Sequence, residues 1–306
     1  MKLRGGFYYS GSFKKLLLLV WAICISFLLT YLGSLLVARL IWGPEVFDIT
    51  FLTNTSNPTS VNVMKFLQVF NTLGLFMFPA LLMAWLTYPN VAEYFGTGTK
   101  IRPLAFVFIP LLALALLPLS NYMTEINQML SFPDVLKDFE QQLRAGDKAS
   151  ELLTLTFVKA DSLSVLFINI FVIAVVPAIA EEFFFRGVLQ KLFTQWSRNI
   201  HMGIVLTAIV FSLVHFQFFS FLPRFFLGVV FGYLLYYSGS IWVPVIAHFV
   251  NNATAIIVYY MIQNGSLPTE AEHMGCTDTI VWMFTGLAVS VLSFWIIVRK
   301  KPIRMA

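Results

Sequence analysis

The chain has 306 residues, of which 58% are hydrophobic and 11% are charged, and 20 Lys and Arg against 15 Asp and Glu leave a net charge of +5. A water-soluble domain carries about 25% charged and about 45–50% apolar residues, so a soluble fold and a disordered chain are both excluded. The basic residues stand beside hydrophobic runs, where they orient membrane spans rather than bind nucleic acid. The composition predicts a polytopic membrane protein whose partner is the lipid bilayer.

Eight apolar stretches are long enough to cross a hydrocarbon core of about 30 Å, which needs about 20 helical residues. The first follows Lys14 and Lys15 and exceeds the roughly 7–15 apolar residues of a signal sequence, so it predicts an uncleaved anchor. We therefore expect an all-α membrane protein, a polytopic bundle of about eight transmembrane helices. The predicted spans are roughly residues 16–40, 66–87, 104–122, 162–185, 200–218, 222–238, 241–261 and 279–298.

The distribution of Lys and Arg predicts how the bundle sits in the membrane, because these residues concentrate in cytoplasmic loops. With eight spans, all of the main basic clusters fall on one side, and the longer, more acidic loops fall on the other. We predict a multi-pass protein of the cell membrane with both termini in the cytoplasm. The basic residues on the predicted cytoplasmic side are Lys2, Arg4, Lys14, Lys15, Lys100, Arg102, Arg186, Lys191, Arg198, Arg299, Lys300, Lys301 and Arg304.

The longest outer loop, residues 123–161, contains apolar residues at helical spacing with charges between them. This pattern predicts an amphipathic helix, which either lies on the outer membrane surface or caps the bundle. The apolar residues are Phe132, Val135, Leu136, Phe139 and Leu143.

The two cysteines, Cys24 and Cys276, form no CxxC motif and no cluster with histidine. Neither a structural zinc site nor a disulfide framework is therefore predicted. Gly228 and Gly232 form a GxxxG motif in the predicted sixth span, where bare backbone allows a neighbouring helix to approach closely.

Ionisable residues inside apolar spans are the most informative feature of the sequence. A charged side chain at the centre of a membrane helix costs about 2.5–3.5 kcal/mol on insertion scales, so each requires a partner or a function. The fourth span ends with Glu181 and Glu182 among aromatic residues, and Arg186 follows four residues after Glu182. This spacing predicts an ion pair between Glu182 and Arg186. Glu181 points elsewhere and requires a different partner.

Two further spans supply polar groups. His215 lies late in the fifth span, and His248 and Asn252 lie one helical turn apart in the seventh. Taken singly, each of these residues has a structural explanation as a hydrogen bond between helices. Together they surround the one double carboxylate, and we expect the three helices to converge on it.

Such a cluster would suit the hydrolysis of a peptide bond. A glutamate held among phenylalanines is poised to accept a proton from water, which makes Glu181 a candidate general base. His215 could orient the same water, and His248 with Asn252 could donate hydrogen bonds to an oxyanion. The sequence contains no HExxH, no GxSxG and no GxGD motif, so zincin-type, serine and aspartyl mechanisms are disfavoured.

The three motifs, in this order, resemble the CPBP family (CAAX-protease and bacteriocin-processing, also called Abi) of intramembrane endopeptidases, which includes the type II prenyl-protein endopeptidases. The resemblance covers roughly residues 160–260. The family pattern is EExxxR, then FxxxH, then HxxxN. The matching residues are Glu181, Glu182 and Arg186 for the first motif, Phe211 and His215 for the second, and His248 and Asn252 for the third.

The resemblance implies a catalytic role for all six polar residues. Glu181 would activate water with help from His215, while His248 and Asn252 would stabilise the oxyanion. Glu182 and Arg186 would hold the site together.

Members of this family are often called metalloproteases, and Glu181, His215 and His248 are a conceivable set of zinc ligands. We favour a mechanism without a metal or other cofactor, because the motifs lack the close histidine spacing of zinc-binding helices.

The expected organisation is an N-terminal transmembrane scaffold with the amphipathic outer loop (1–160), a catalytic core (161–262), and an outer loop, last span and basic cytoplasmic tail (263–306). The expected substrate is a membrane-associated peptide or protein, of CAAX or leader-peptide type. The alternative is a non-catalytic membrane binding or bacteriocin-immunity protein that uses the same polar cluster. A transporter is disfavoured, because the first half contains no segment that matches the polar cluster.

Overall fold

The helices of this chain follow its apolar runs closely. The computed structural model describes residues 4–298, and within that range no strand occurs. The predicted cytoplasmic residues Lys2, Arg299, Lys300, Lys301 and Arg304 lie outside the described residues. The nine long helices of the described range are α1 (Ser12–Trp42), α2 (Pro58–Thr87), α3 (Ala105–Gln128), α4 (Lys137–Val158), α5 (Leu163–Ser197), α6 (Ile200–Leu213), α7 (Phe221–Ser238), α8 (Trp242–Gln263) and α9 (Ile280–Val298).

Among the described residues, seven helical segments are long and apolar enough to cross a membrane, and α6 is a shorter apolar helix of 14 residues. The predicted all-α bundle of about eight membrane helices is therefore confirmed. The remaining long helix, α4, is the one predicted in the outer loop. It begins at Lys137, after Pro133 and a short 3-10 turn, and Glu140 fixes its start by accepting hydrogen bonds from Phe132 N and Arg144 Nε at 2.8 and 2.7 Å.

Two predicted span boundaries were wrong, because buried charged residues interrupt the apolar stretches from which the spans were predicted. The second span begins at Pro58, not near residue 66, and includes Lys65, which is 6% exposed. Its ammonium donates to Asn169 Oδ1 at 2.7 Å. The fourth span does not end at residue 185: α5 continues to Ser197, and Arg186 is completely buried rather than placed at the cytoplasmic surface.

The fifth span is shorter than predicted. Helix α6 ends at Leu213, and the chain turns through Phe216, whose φ of 53° is in the left-handed region and stops the helix. His215 therefore lies in a turn and not within a continuous helix. The turn between α6 and α7 is held by Asp147 of α4, whose carboxylate accepts hydrogen bonds from the Phe218 and Phe219 backbone.

Helix α5 is interrupted by two π-bulges, at Phe171–Val175 and Phe185–Leu189. The α-helical segment between them, Val176–Phe184, carries both glutamates. Pro177 has no backbone N–H and cannot bond to the carbonyl of Ile173 four residues earlier. The first bulge thus leaves a backbone acceptor inside the bundle that another helix can use.

The functional helices pack closely because small residues face one another. The bare Cα of Gly228 lies so near α6 that an added Cβ would be 3.0 Å from Ala208 Cβ, and one on Gly232 would be 2.8 Å from Ile204 Cγ2. Phe183, Phe184 and Phe185 of α5 join a core that also contains Leu19 of α1 and Met83 of α2. The predicted N-terminal scaffold thus packs directly on the helix that carries the glutamates.

Candidate active site

Glu182 and Arg186 form a fully buried ion pair in the site. Glu182 Oε1 lies 2.9 Å from Arg186 Nη1, and both side chains are 0% exposed. The two residues are four apart, so the helix places them on one face despite the bulge that starts at Phe185. In a low-dielectric interior each charge requires the other, because an uncompensated buried ion is strongly unfavourable.

The second partner of Arg186 is the backbone of α7. Arg186 Nη2 donates to the Gly228 carbonyl at 3.2 Å, and one turn later Gln190 Nε2 donates to the Gly232 carbonyl at the same distance. The absence of a side chain at each glycine lets these long polar groups reach the backbone. The aromatic ring of Phe211 covers the Arg186 guanidinium at 4.6 Å and adds a cation–π contact.

His248 connects α8 to both glutamates of α5. Its Nδ1 lies 2.9 Å from Glu182 Oε1, and its Nε2 lies 3.9 Å from Glu181 Oε2. Because Glu182 is ion-paired, its carboxylate accepts only, so the hydrogen of the neutral imidazole belongs on Nδ1. Nε2 then carries a lone pair facing Glu181. The ring is held by stacking on Phe231, with centroids 5.3 Å apart.

Glu181 and His248 are the two groups of the cluster that face each other without a direct hydrogen bond. A separation of 3.9 Å is too long for a direct hydrogen bond, and a water molecule that contacts both acceptors could donate one hydrogen to each. The Glu181 side chain is 13% exposed, whereas that of Glu182 is 0% exposed. Of the two adjacent carboxylates, Glu181 is therefore the one that a small molecule can reach.

His215 reaches the cluster indirectly. Its Nδ1 donates to the Phe211 carbonyl at 2.7 Å, because a carbonyl can only accept, and its Nε2 is left with a lone pair. The Phe211 ring contacts both imidazoles, with centroid distances of 5.1 Å to His215 and 6.0 Å to His248. Within the described residues, no hydrogen bond joins His215 to Glu181 or His248. The structure places His215 beside the site, across the Phe211 ring.

Asn252 lies one turn beyond His248 and joins α8 to the first bulge of α5. Its Nδ2 donates to the Ile173 carbonyl at 3.4 Å, the acceptor left open by Pro177. One amide hydrogen remains for another acceptor in the site. The position of Pro177 four residues after Ile173 was the one sequence signal that could have indicated this contact.

Arg224, near the start of α7, is a site residue that the sequence reasoning missed. Its charge interacts electrostatically with Glu181 and with His215. Its Nη2 donates to the Gln217 side chain, and its Nη1 is buried without a hydrogen-bond partner among residues 4–298. A signal was present in the sequence, since Arg224 is a charged residue near the start of the predicted sixth span, 222–238.

The possible zinc ligands can be tested against this geometry. Each histidine donates its Nδ1 hydrogen to an oxygen and keeps a free lone pair on Nε2, which is the chemistry of a metal-binding imidazole. In the part of the chain that the structure describes, however, no three His, Cys, Asp or Glu residues are arranged to hold a metal ion. Glu181, His215 and His248 thus do not fit a zinc site in this arrangement.

Part of the chain matches a known protein family. Residues 163–254 match the family model described as type II CAAX prenyl endopeptidase Rce1-like. The comparisons with curated proteins and with solved structures give no match. The matched segment runs from the start of α5 into α8 and contains all six predicted site residues.

Proposed function

We infer a membrane protease of the CAAX type in general from the match of residues 163–254 to the CAAX endopeptidase family model. We propose that this protein is an intramembrane endopeptidase in which Glu181 activates a water molecule to hydrolyse a peptide bond. The observation that carries the proposal is the arrangement of Glu182, His248 and Glu181, in which one imidazole is fixed by a buried ion pair and directs its lone pair toward a reachable carboxylate.

In the first step, Glu181 Oε2 and His248 Nε2 hold the water by accepting its two hydrogens. Glu181 removes one proton as the water oxygen forms a bond to the carbonyl carbon of the substrate. The π electrons of the carbonyl move to its oxygen and form an oxyanion. A general base placed in this way typically contributes about 10²–10⁴-fold to the rate.

The oxyanion requires hydrogen-bond donors aimed at the position where its charge develops. Asn252 Nδ2 has a hydrogen available, since one bond to Ile173 leaves the other free. His248 can donate from Nε2 only after it has taken up a proton, because its own hydrogen is on Nδ1. No step supplies that proton, so we revise its role: His248 Nε2 accepts the hydrogen that stays on the attacking oxygen, and Asn252 is the donor to the oxyanion.

In the last step, Glu181 gives its proton to the leaving nitrogen as the C–N bond breaks. The products are a carboxylic acid and an amine, and no covalent intermediate with the protein is formed. We propose that His215, which lies across the Phe211 ring from His248, and Arg224 orient the peptide. Glu182 and Arg186 act as positioning residues, because both side chains are 0% exposed and form an ion pair with each other.

The expected substrates are peptides or proteins associated with the membrane, of CAAX or leader-peptide type. The test is a panel of quenched membrane peptides supplied to the purified full-length protein, to Glu181→Ala and to His215→Ala. We expect the wild type to cleave at least one peptide and both variants to lose most of that activity. Equal turnover by all three proteins would remove the enzymatic proposal. Peptide binding without cleavage would favour the non-catalytic alternative.

A further inference from the structure

A second cavity is lined by none of the six predicted site residues. It has a volume of about 480 Å³ and is enclosed by the ends of α1, α2, α5 and α7 and by the short helix Val91–Phe95. These ends belong to the side of the bundle that the basic residues predict to be cytoplasmic. We call this cavity the interface pocket, because the helix ends around it mark the membrane–water boundary.

Two lysines from different helices line the interface pocket, Lys15 of α1 and Lys191 of α5. Lys191 donates to the Tyr94 carbonyl and lies 4.0 Å from the centroid of the Tyr94 ring. Within residues 4–298, no carboxylate pairs with either lysine, and the Lys15 ammonium has no hydrogen-bond partner. At least four ammonium hydrogens are therefore available in one cavity.

The walls supply neutral donors and almost no competing negative charge. Tyr8, Tyr88 and Tyr236 line the pocket, and the one acid that borders it is Glu93, an exposed residue that accepts from the Tyr88 hydroxyl at 3.4 Å. Tyrosine is favoured at the level of lipid headgroups because its ring is apolar and its hydroxyl is polar. A volume in the range of about 300–1,000 Å³ suits a small bound group.

We propose that the interface pocket binds the phosphate of an anionic phospholipid headgroup between Lys15 and Lys191. A phosphate has several acceptor oxygens and can receive hydrogen bonds from two ammonium groups and a tyrosine hydroxyl at once. The cytoplasmic leaflet supplies such lipids at high local concentration. By joining α1 to α5, the bound lipid stabilises the packing of the first helix on the helix that carries the glutamates.

The test uses the full-length protein in neutral detergent and needs no protease assay, so it can fail independently of the proposed function. The thermal unfolding midpoint is followed during titration with short-chain phosphatidylglycerol, with the matching phosphatidylcholine, and with inorganic phosphate. We compare the wild type with Lys15→Gln and Lys191→Gln. Lys14→Gln and Lys100→Gln are matched controls, because they remove the same charge from exposed positions at the same end of the bundle.

We expect a saturable rise in the midpoint with phosphatidylglycerol for the wild type and both controls. Lys15→Gln and Lys191→Gln should weaken that apparent affinity by at least about tenfold. A response of similar size to inorganic phosphate would identify free phosphate as the ligand and overturn the lipid assignment. Native mass spectrometry provides a second readout if Lys191→Gln is unstable, since Lys15→Gln should retain fewer phosphatidylglycerol molecules than Lys14→Gln. Equal retention or equal responses in all variants would overturn the proposal.

Discussion

His248 gives two neighbouring glutamates different properties. Glu182 Oε1 pairs with the Arg186 guanidinium and accepts a hydrogen bond from His248 Nδ1. The same ring then faces Glu181 with its other nitrogen, 3.9 Å away. Adjacent residues on a helix point about 100° apart, so one carboxylate is buried while the other remains reachable. A structural and a reactive carboxylate thus arise from identical residue types.

The first prediction concerns Glu182→Gln. This change leaves the Arg186 guanidinium without its counter-charge in a fully buried position, which typically costs about 3–5 kcal/mol. We expect a clear fall in the unfolding midpoint in detergent. Glu181→Gln is the matched control, because it changes the same chemistry at a residue without an ion pair to Arg186, and its midpoint should stay near that of the wild type. Equal midpoints for the two variants would contradict the structural role of Glu182.

The second prediction concerns metal removal. Because Glu181, His215 and His248 do not form a three-ligand cluster in the described residues, we expect peptide cleavage to persist after prolonged dialysis against a strong chelator. The measurement is the initial rate before and after dialysis, with a zinc-dependent protease treated in parallel. Loss of cleavage that returns on addition of zinc would show that the metal mechanism is correct.

At the residue scale, the sequence predicted which residues form the site better than it predicted the contacts between them. The spacing of Glu182 and Arg186 was sufficient to predict their ion pair, because both lie on one helix. The bond from His248 to Glu182 could not be predicted, since it depends on how α8 rotates against α5. Arg224 was missed for a similar reason: only the fold shows that the start of α7 lies near Glu181.

The two π-bulges of α5 position its polar contacts with α8 and α7. The first exposes the Ile173 carbonyl to Asn252, and the second follows the glutamates and carries Arg186. Arg186 and Gln190 then bond to the carbonyls of Gly228 and Gly232 on α7. Close packing and polar contacts are therefore coupled, because each carbonyl is reachable only where the backbone is bare.

The third prediction tests this coupling with Gly232→Ala. An added Cβ would lie 2.8 Å from Ile204 Cγ2 and 3.0 Å from Gln190 Oε1, so α7 must move away from both. Overpacking of this kind costs about 1–3 kcal/mol. Gly33→Ala in α1 is the control, since no atom lies within 4 Å of its added Cβ. Denaturation in detergent should show a loss of stability for Gly232→Ala alone, and similar losses in both variants would refute the packing argument.

The elements themselves were largely predictable from hydropathy. Within residues 4–298, the eight predicted apolar runs correspond to seven helices long enough to cross a membrane and to the shorter α6, and the outer amphipathic pattern corresponds to α4. The errors fall where a polar residue is buried by a partner distant in sequence, as with Lys65 and Asn169. The early end of α6 was also not predicted, because the residues that follow Leu213 are still largely apolar.

The whole molecule has two chemically different ends. The interface pocket lies at the end where basic residues gather, and the α6–α7 turn with His215 lies toward the end covered by α4. Asp147 of α4 holds that turn through two backbone hydrogen bonds. The outer helix is thus connected to the loop that carries a site residue.

The fourth prediction concerns the orientation of these ends. In a protein with Cys24→Ser and Cys276→Ser, we introduce Lys100→Cys or Gly146→Cys, both at exposed positions. A membrane-impermeant maleimide applied to intact cells should label the cysteine at 146 and leave the one at 100 unlabelled until lysis. The reverse pattern would show that the positive-inside rule assigns this protein the wrong way round.

The account rests on Glu181 as the base that activates water, and the most direct measurement is the single-turnover cleavage rate of Glu181→Gln. With a peptide that the wild type cleaves, we predict a rate lower by at least about 100-fold, together with an unchanged unfolding midpoint. Glu93→Gln, at the opposite end of the bundle, should cleave at the wild-type rate. Cleavage by Glu181→Gln at the wild-type rate would contradict the account.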